Sequence, residues 1–170
     1  MTLMIQAPVG EGRPPPVRLA VPEDEEALFG LCRMVHGENA IFSISPRKAR
    51  EELRVAIQRQ PAVSRSSLIG VVDDPATATP VGMAWLIQAQ EWYSDEVYIA
   101  ERFVFVHPAF REGTEHASHL LSWTRWVTDA CRLRLLVGFA SSVRTQAKLR
   151  LYRQRFGDPI GYTFLHAAEA

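Results

Sequence analysis

The sequence has little cysteine, no excess of charge of either sign and no long apolar run. Its two cysteines, Cys32 and Cys131, lie far apart and form no CxxC or metal-ligand spacing, so we expect buried thiols in a reduced protein and no metal site. Nineteen basic residues balance nineteen acidic ones, so no overall field would attract nucleic acid or an anionic membrane. With no signal-peptide pattern and no apolar run near the ~20 residues of a membrane span, we expect a cytoplasmic protein.

What the sequence does contain is enough apolar material for one globular domain. Hydrophobic residues make up 47% and charged residues 22% of the 170 residues, close to the average for globular proteins. Residues 1–16 carry Gly10, Gly12 and the run Pro14-Pro15-Pro16, which indicates a flexible or extended arm. We therefore predict an N-terminal arm over 1–16 and a single domain over 17–170.

Hydrophobic periodicity predicts alternating strands and helices. Apolar residues from Leu28 to Val35 follow helical spacing, whereas Val97–Val106 is apolar on both alternating sets toward its end, which is typical of a strand covered on both faces. The predicted order is β-α-α-β-β-β-α-β-α-β, an α/β (α+β) fold with a mixed sheet of about six to seven strands and about four helices. The predicted strands are Val17–Ala20, Ser67–Val72, Val81–Ala89, Val97–Val106, Leu133–Phe139 and Ile160–His166; the predicted helices begin at Pro22 and Pro46, include Leu120–Cys131, and span Thr145–Arg155.

The stretch from Phe103 to Leu121 is the most informative for function. A buried strand ends at His107-Pro108, a short polar loop follows, and a helix begins with small residues in its first turn. Backbone N–H groups at such a helix start can bind a phosphate, although an ordinary strand-to-helix connection has the same features.

In this stretch the chain resembles the GNAT superfamily of N-acetyltransferases. The family has a Val-x-Pro-like step, an aromatic-Arg pair, a loop of pattern Gln/Arg-x-x-Gly-x-Gly/Ala and paired leucines, against Val106-His107-Pro108, Phe110-Arg111, Ala117 and Leu120-Leu121 here. Glu112 and Glu115 then stand where the family has a basic residue and a glycine. If the loop is instead one residue longer, Arg111 and Gly113 supply those elements.

A second segment extends the resemblance. The family often has an Asn-x-x-Ala-x-x-x-Tyr-like helix followed by Gly-Phe; here Thr145, Lys148 and Tyr152 take those places, and Phe156-Gly157 is reversed. Within the family, the chain also resembles the small GNAT proteins of phages and prophages.

The resemblance implies acetyl-CoA as cosubstrate and direct attack by an amine, without a covalent enzyme intermediate. The general acid would be Tyr152, unless this tyrosine only packs against the sheet, and the base would be Glu101, with Glu96 as its rival. The implied cofactor contacts are Phe105, Val106, Arg111, Gly113, Thr114, His116 and Ala117.

Acceptor contacts are expected from residues 36–45 and from the turn at 91–96. Trp92, Tyr93 and Glu96 are the candidates there, and the acidic residues around them would favour a cationic amine. The two aromatics are equally consistent with a loop anchor or a subunit contact, so a homodimer is an option. Three functions remain open: an acetyltransferase acting on an amine, a catalytically silent module that binds CoA or a partner, and a modifier of aminoacylated RNA.

Overall fold

A mixed sheet of five strands runs through the computed structural model, which describes residues 16–39, 42–58, 66–138 and 143–161. The strands lie in the order β1-β2-β3-β4-β5; neighbours are antiparallel except for β4 and β5, which are parallel. Their bounds are β1 Arg18–Leu19, β2 Ser67–Asp73, β3 Pro80–Gln90, β4 Val97–Val106 and β5 Arg134–Leu136.

Four helices cover the two faces of this sheet. Their bounds are α1 Glu25–Asn39, α2 Pro46–Gln58, α3 His116–Cys131 and α4 Thr145–Phe156, with short 3-10 turns at Pro22–Asp24 and Pro108–Phe110. One buried cluster joins α1 and α2 to residues such as Met83 and Phe105, and another joins α3 to residues such as Leu86 and Val106. None of the helices in the described ranges is long and apolar enough to span a bilayer.

The predicted fold class and element order are confirmed from β1 to α4, but the predicted strand count is too high for the described residues. The strand expected at Leu133–Phe139 is only Arg134–Leu136, because β5 pairs with β4 at three positions. Residues 162–166 of the sixth predicted strand, and nearly all of the 1–16 arm, lie outside the described residues.

A bulge interrupts β4 at Arg102. Trp85 lies opposite Phe103 and Leu86 lies opposite Glu101, so Arg102 has no cross-strand partner. Cross-strand partners share a face, so Glu101 lies with Leu86 on the α3 side and Phe103 lies with Trp85 on the α1–α2 side. Arg102 joins Phe103 on that side, with its guanidinium 4.8 Å from the centroid of the Trp85 ring. The bulge therefore places the neighbours Arg102 and Phe103 on the same face of β4, whereas strict alternation would place them on opposite faces.

Past the bulge, β4 and β5 separate. Their pairing covers only Tyr98 to Ala100 on β4, and no strand of the described part of the chain pairs with that edge of β4 from residue 101 onward. Backbone N–H and C=O groups on the open edge can therefore bind a ligand.

Candidate functional site

A cavity of about 900 Å³ opens where β4 and β5 separate. Its walls come from both faces of the sheet, because the gap between the strands connects the α1–α2 side with α3 and α4. The lining residues are Cys32, Val35, His36, Asn39, Ser43–Ser45, Lys48, Ala49, Glu52, Trp85, Arg102–Val106, Arg111, Ala117, Leu121, Gly138, Arg144, Ala147, Lys148, Leu151 and Tyr152.

Tyr152 and Glu101 form a hydrogen-bonded pair at this cavity. The Tyr152 hydroxyl, carried by α4, donates to Glu101 Oε1 on β4 over 2.6 Å. Tyr152 lines the cavity, whereas Glu101 is only 7% exposed and lies behind it. Glu101 Oε2 is buried and has no hydrogen-bond partner among the described residues. The Tyr152 hydroxyl therefore connects the buried Glu101 carboxyl group to the cavity.

Burial shifts both pKa values in this pair upward. Burial raises the pKa of Glu101 to about 7, against the opposing effect of the Tyr152 hydrogen bond. Burial, followed by the charge and hydrogen bond of Glu101, raises the pKa of Tyr152 well above its usual value. A phenol that stays protonated next to a carboxyl group that titrates near neutrality can pass a proton in either direction.

The loop before α3 presents its two acidic residues to solvent. Glu112 and Glu115 have side chains 83% and 81% exposed, and Glu112 pairs with Arg144 at 3.2 Å. Gly113 has a φ of +71°, a left-handed conformation that glycine adopts without strain. Glu115 is the N-cap residue of α3, and its carboxylate lies 3.4 Å from His119 Nε2 in the first turn. It makes no side-chain cap hydrogen bond to the N–H groups there, which lack intrahelical acceptors.

Arg111 points away from this loop and into the cavity wall. Its Nε donates to the Val106 carbonyl at 2.8 Å, and its Nη2 pairs with Glu38 at 2.6 Å. Lys148 lies 3.8 Å from the same Glu38 carboxylate, and burial lowers the pKa of Lys148. The guanidinium also stacks 4.9 Å from the centroid of the Phe105 ring. Arg111 thus links α1, β4 and the cavity, a role that its place in the loop motif did not indicate.

The remaining cofactor candidates divide into two groups. Phe105, Val106 and Ala117 line the cavity together with Arg111. Gly113, Thr114 and His116 lie in the loop and at the start of α3, outside the cavity lining. Burial, together with nearby His119, lowers the pKa of His116 despite the opposing charge of Asp74, so His116 would carry little positive charge at neutral pH.

The acceptor candidates of the β3–β4 turn do not reach the cavity. Trp92 and Tyr93 are 93% and 72% exposed and contact each other edge to face. Glu96 pairs with Arg134 at 2.8 Å, so the rival base lies apart from the Tyr152–Glu101 pair. From the other predicted region, His36, Asn39 and Ser43–Ser45 do line the cavity.

Sequence reasoning missed Lys48, Glu52 and Arg102 in the cavity wall. Lys48 and Glu52 are one turn apart on α2, and Glu52 accepts a hydrogen bond from Arg102 Nη2 at 2.9 Å. The i, i+4 spacing was visible in the sequence, but the bulge that turns Arg102 toward α2 was not. No group of three or more His, Cys, Asp or Glu side chains among the described residues could hold a metal ion.

No family model and no curated protein sequence matches the chain. Solved structures do match it closely in fold. A ribosomal-protein-alanine N-acetyltransferase from Brucella melitensis biovar Abortus 2308 aligns with a TM-score of 0.63 and 13% identity over 89% of this chain and 99% of its own. An acetyltransferase from Trypanosoma brucei aligns with a TM-score of 0.62 and 12% identity, over 90% and 98% of the two chains.

A third structure, AAC(6')-Iy, was solved with a bisubstrate analogue, CoA-S-monomethyl-acetylneamine. It aligns with a TM-score of 0.62 and 13% identity, over 91% of this chain and 97% of its own. At such identities the likeness establishes the fold alone. The predicted GNAT fold is thereby confirmed.

Proposed function

We propose that this protein transfers an acetyl group from acetyl-CoA to a primary amine by direct attack. The observation that carries the proposal is the Tyr152–Glu101 pair at a large cavity where β4 and β5 separate. The fold shared with acetyltransferases, one of them solved with a CoA-linked analogue, supports the same assignment.

The residues around the gap suit a coenzyme A thioester. When bound, acetyl-CoA supplies an activated acetyl group. The open edge of β4 from Phe103 to Val106 would hydrogen-bond the extended arm, and one of its N–H groups would polarise the thioester carbonyl. Ala117, a small residue in the first turn of α3, leaves room for the diphosphate at the helix start. Glu112 and Glu115 are more than four-fifths exposed and lie close to Arg144 and His119, so solvent and these partners weaken their repulsion of the diphosphate.

Glu101 and Tyr152 act in this proposal as one proton relay. As the amine nitrogen bonds to the acetyl carbon, its proton passes to Tyr152 Oη while the phenolic proton passes to Glu101 Oε1. When the carbon–sulfur bond breaks, Tyr152 Oη donates its proton to the departing sulfur, and Glu101 Oε1 returns a proton to Tyr152. One proton thus leaves nitrogen, one arrives at sulfur, and the pair returns to its starting state. A carboxyl pKa of about 7 suits a group that must gain and lose a proton at neutral pH.

The first test is calorimetric titration of the protein with acetyl-CoA and with CoA, alongside turnover of an amine panel. We expect both nucleotides to bind in the micromolar range, and Tyr152→Phe to lower kcat about 100-fold or more without weakening acetyl-CoA binding. Tyr98→Phe is the matched control, since the Tyr98 hydroxyl bonds Glu91 outside the cavity.

Two results would count against the proposal. If acetyl-CoA does not bind at millimolar concentration, the chain is not an acetyl-CoA enzyme. If acetyl-CoA binds but Tyr152→Phe keeps full turnover, the relay is wrong. Binding without any turnover across the panel favours the alternative function, a silent module that retains CoA.

A further inference from the structure

The charged side chains along the α2 wall of the cavity indicate which class of acceptor the cavity would bind. Lys48 and Glu52 lie on successive turns of α2, and Arg102 of β4 bonds Glu52, so the three residues form a row along the cavity lining. Among the described residues Lys48 makes no ion pair within 4.0 Å, whereas Arg102 neutralises Glu52 at 2.9 Å. This row therefore carries one positive charge in excess.

Arg102 is held in position by two contacts that leave part of its guanidinium available. Its guanidinium lies over the Trp85 ring, and one nitrogen, Nη2, bonds Glu52. A guanidinium has five N–H donors in a planar fork, a geometry that matches a carboxylate. Lys48 adds a second cation on the same wall.

The row lies close to the Tyr152–Glu101 pair, where an acceptor amine would react. Arg102 directly follows Glu101 at the bulge, and the gap beyond the bulge is where Tyr152 reaches the cavity. The acidic residues that would attract a cationic acceptor, Glu91 and Asp95, lie instead in the β3–β4 turn, around a separate hollow. Among the lining residues that the structure describes, Glu52 is the single acidic side chain, and Arg102 already pairs with it.

From this arrangement we infer that the acceptor amine also carries a carboxylate, as an amino acid does, and that Lys48 and Arg102 bind this carboxylate. The inference rests on the proposed acetyl transfer and specifies its acceptor class. Polyamines and other purely cationic acceptors are disfavoured, since their additional charges would meet the cationic row.

The test compares matched acceptors that differ in the carboxylate. Glycine, β-alanine and γ-aminobutyrate, which differ in the amine-to-carboxylate distance, are assayed with their primary carboxamides, with spermidine and with ethanolamine. We expect one acid to have a KM roughly tenfold or more below that of its amide. Converting the acid to the amide lowers the pKa of the amine, so amine reactivity alone would favour the amide.

Charge reversal at Lys48 locates the contact. Lys48→Glu is expected to raise the KM of the best acid roughly tenfold or more and to leave the acetyl-CoA Kd unchanged. Arg47→Glu is the matched control, since Arg47 is exposed on the same helix, pairs with Glu51 and does not line the cavity.

The outcomes separate this inference from the proposed function. Preference for amides or spermidine, or an unchanged KM in Lys48→Glu, overturns the carboxylate site while acetyl transfer stands. If no acceptor is turned over, calorimetry on the CoA-loaded protein decides, and equal binding of acid and amide overturns the inference. Failure to bind acetyl-CoA removes the proposed function and this inference with it.

Discussion

Glu101 is a carboxyl group whose buried surroundings make its charge unfavourable. Its folded pKa of about 7 exceeds the ordinary value of 4.5, so the folded state holds the proton more tightly than the unfolded chain does. The contribution of protonated Glu101 to the free energy of unfolding is therefore fully present below pH 4.5 and is lost as the pH rises through 7. The pKa difference corresponds to a loss on the order of 3 kcal/mol.

Glu101→Gln tests this coupling because it keeps an oxygen to accept from Tyr152 and cannot ionise. We expect this variant to match the original protein at pH 5 and to be more stable at pH 8, by on the order of 2–3 kcal/mol. Urea unfolding at the two pH values measures the difference. Glu96→Gln, at an exposed ion pair, should show no such pH dependence. Equal stability of Glu101→Gln and the original protein at pH 8 would mean that Glu101 ionises freely.

The sequence could supply the members of the Tyr152–Glu101 pair but not their contact. Tyr152 was found from its place in a helix motif and Glu101 from its place before the cofactor strand. They are 51 residues apart, and their hydrogen bond depends on how α4 docks against the sheet. For Arg111 the motif was misleading, because its motif position predicted a contact in the phosphate loop. Its observed partner is Glu38, which lies 73 residues earlier in the chain.

At the scale of elements, β2 and α3 approach each other so closely that the contact requires a glycine. A Cβ on Gly70 would come within 2.7 Å of the Trp123 ring, which is almost fully buried and cannot move away. Gly70→Ala should therefore destabilise the protein by about 1–3 kcal/mol through overpacking. The measurement is the midpoint of urea unfolding.

Gly30 provides the matched control for this substitution. It lies inside α1, where an added Cβ would meet nothing within 4 Å. Gly30→Ala should stabilise the protein by about 0.5–1 kcal/mol, because alanine favours the helix. Opposite signs for the two variants support the packing of α3 on β2, and a neutral Gly70→Ala would contradict it.

Periodicity was sufficient for the elements and insufficient for their irregularities. The stripe from Leu28 to Val35 and the apolar run of β4 gave the correct element types, because burial on one face or two leaves a regular pattern. The bulge at Arg102 leaves no such pattern, and it decides that Glu101 faces α3 while Arg102 faces α2. Likewise, the length of β5 depends on where it separates from β4, which its own apolar residues do not encode.

At the scale of the whole molecule, the cavity collects side chains from four helices and two strands that are dispersed along the sequence. A ligand in this position contacts elements from α1 to α4, so its binding stabilises the folded state as a whole. The Glu52–Arg102 and Glu38–Arg111 pairs bridge 50 and 73 residues and fix the two cavity walls relative to each other. Binding should therefore appear in global unfolding as well as in calorimetry.

Acetyl-CoA at about 100 times its Kd should raise the free energy of unfolding by about 2.7 kcal/mol, because it binds the folded state alone. For a chain of this length that corresponds to a rise in Tm of roughly 5–10 °C, measurable by thermal melts followed by circular dichroism. Ala117→Phe, which places a ring in the cavity at the start of α3, should abolish the shift. Arg125→Phe, on an exposed position of the same helix, should keep it. If Ala117→Phe retains the full shift, acetyl-CoA binds elsewhere on the molecule, and the gap between β4 and β5 is not its site.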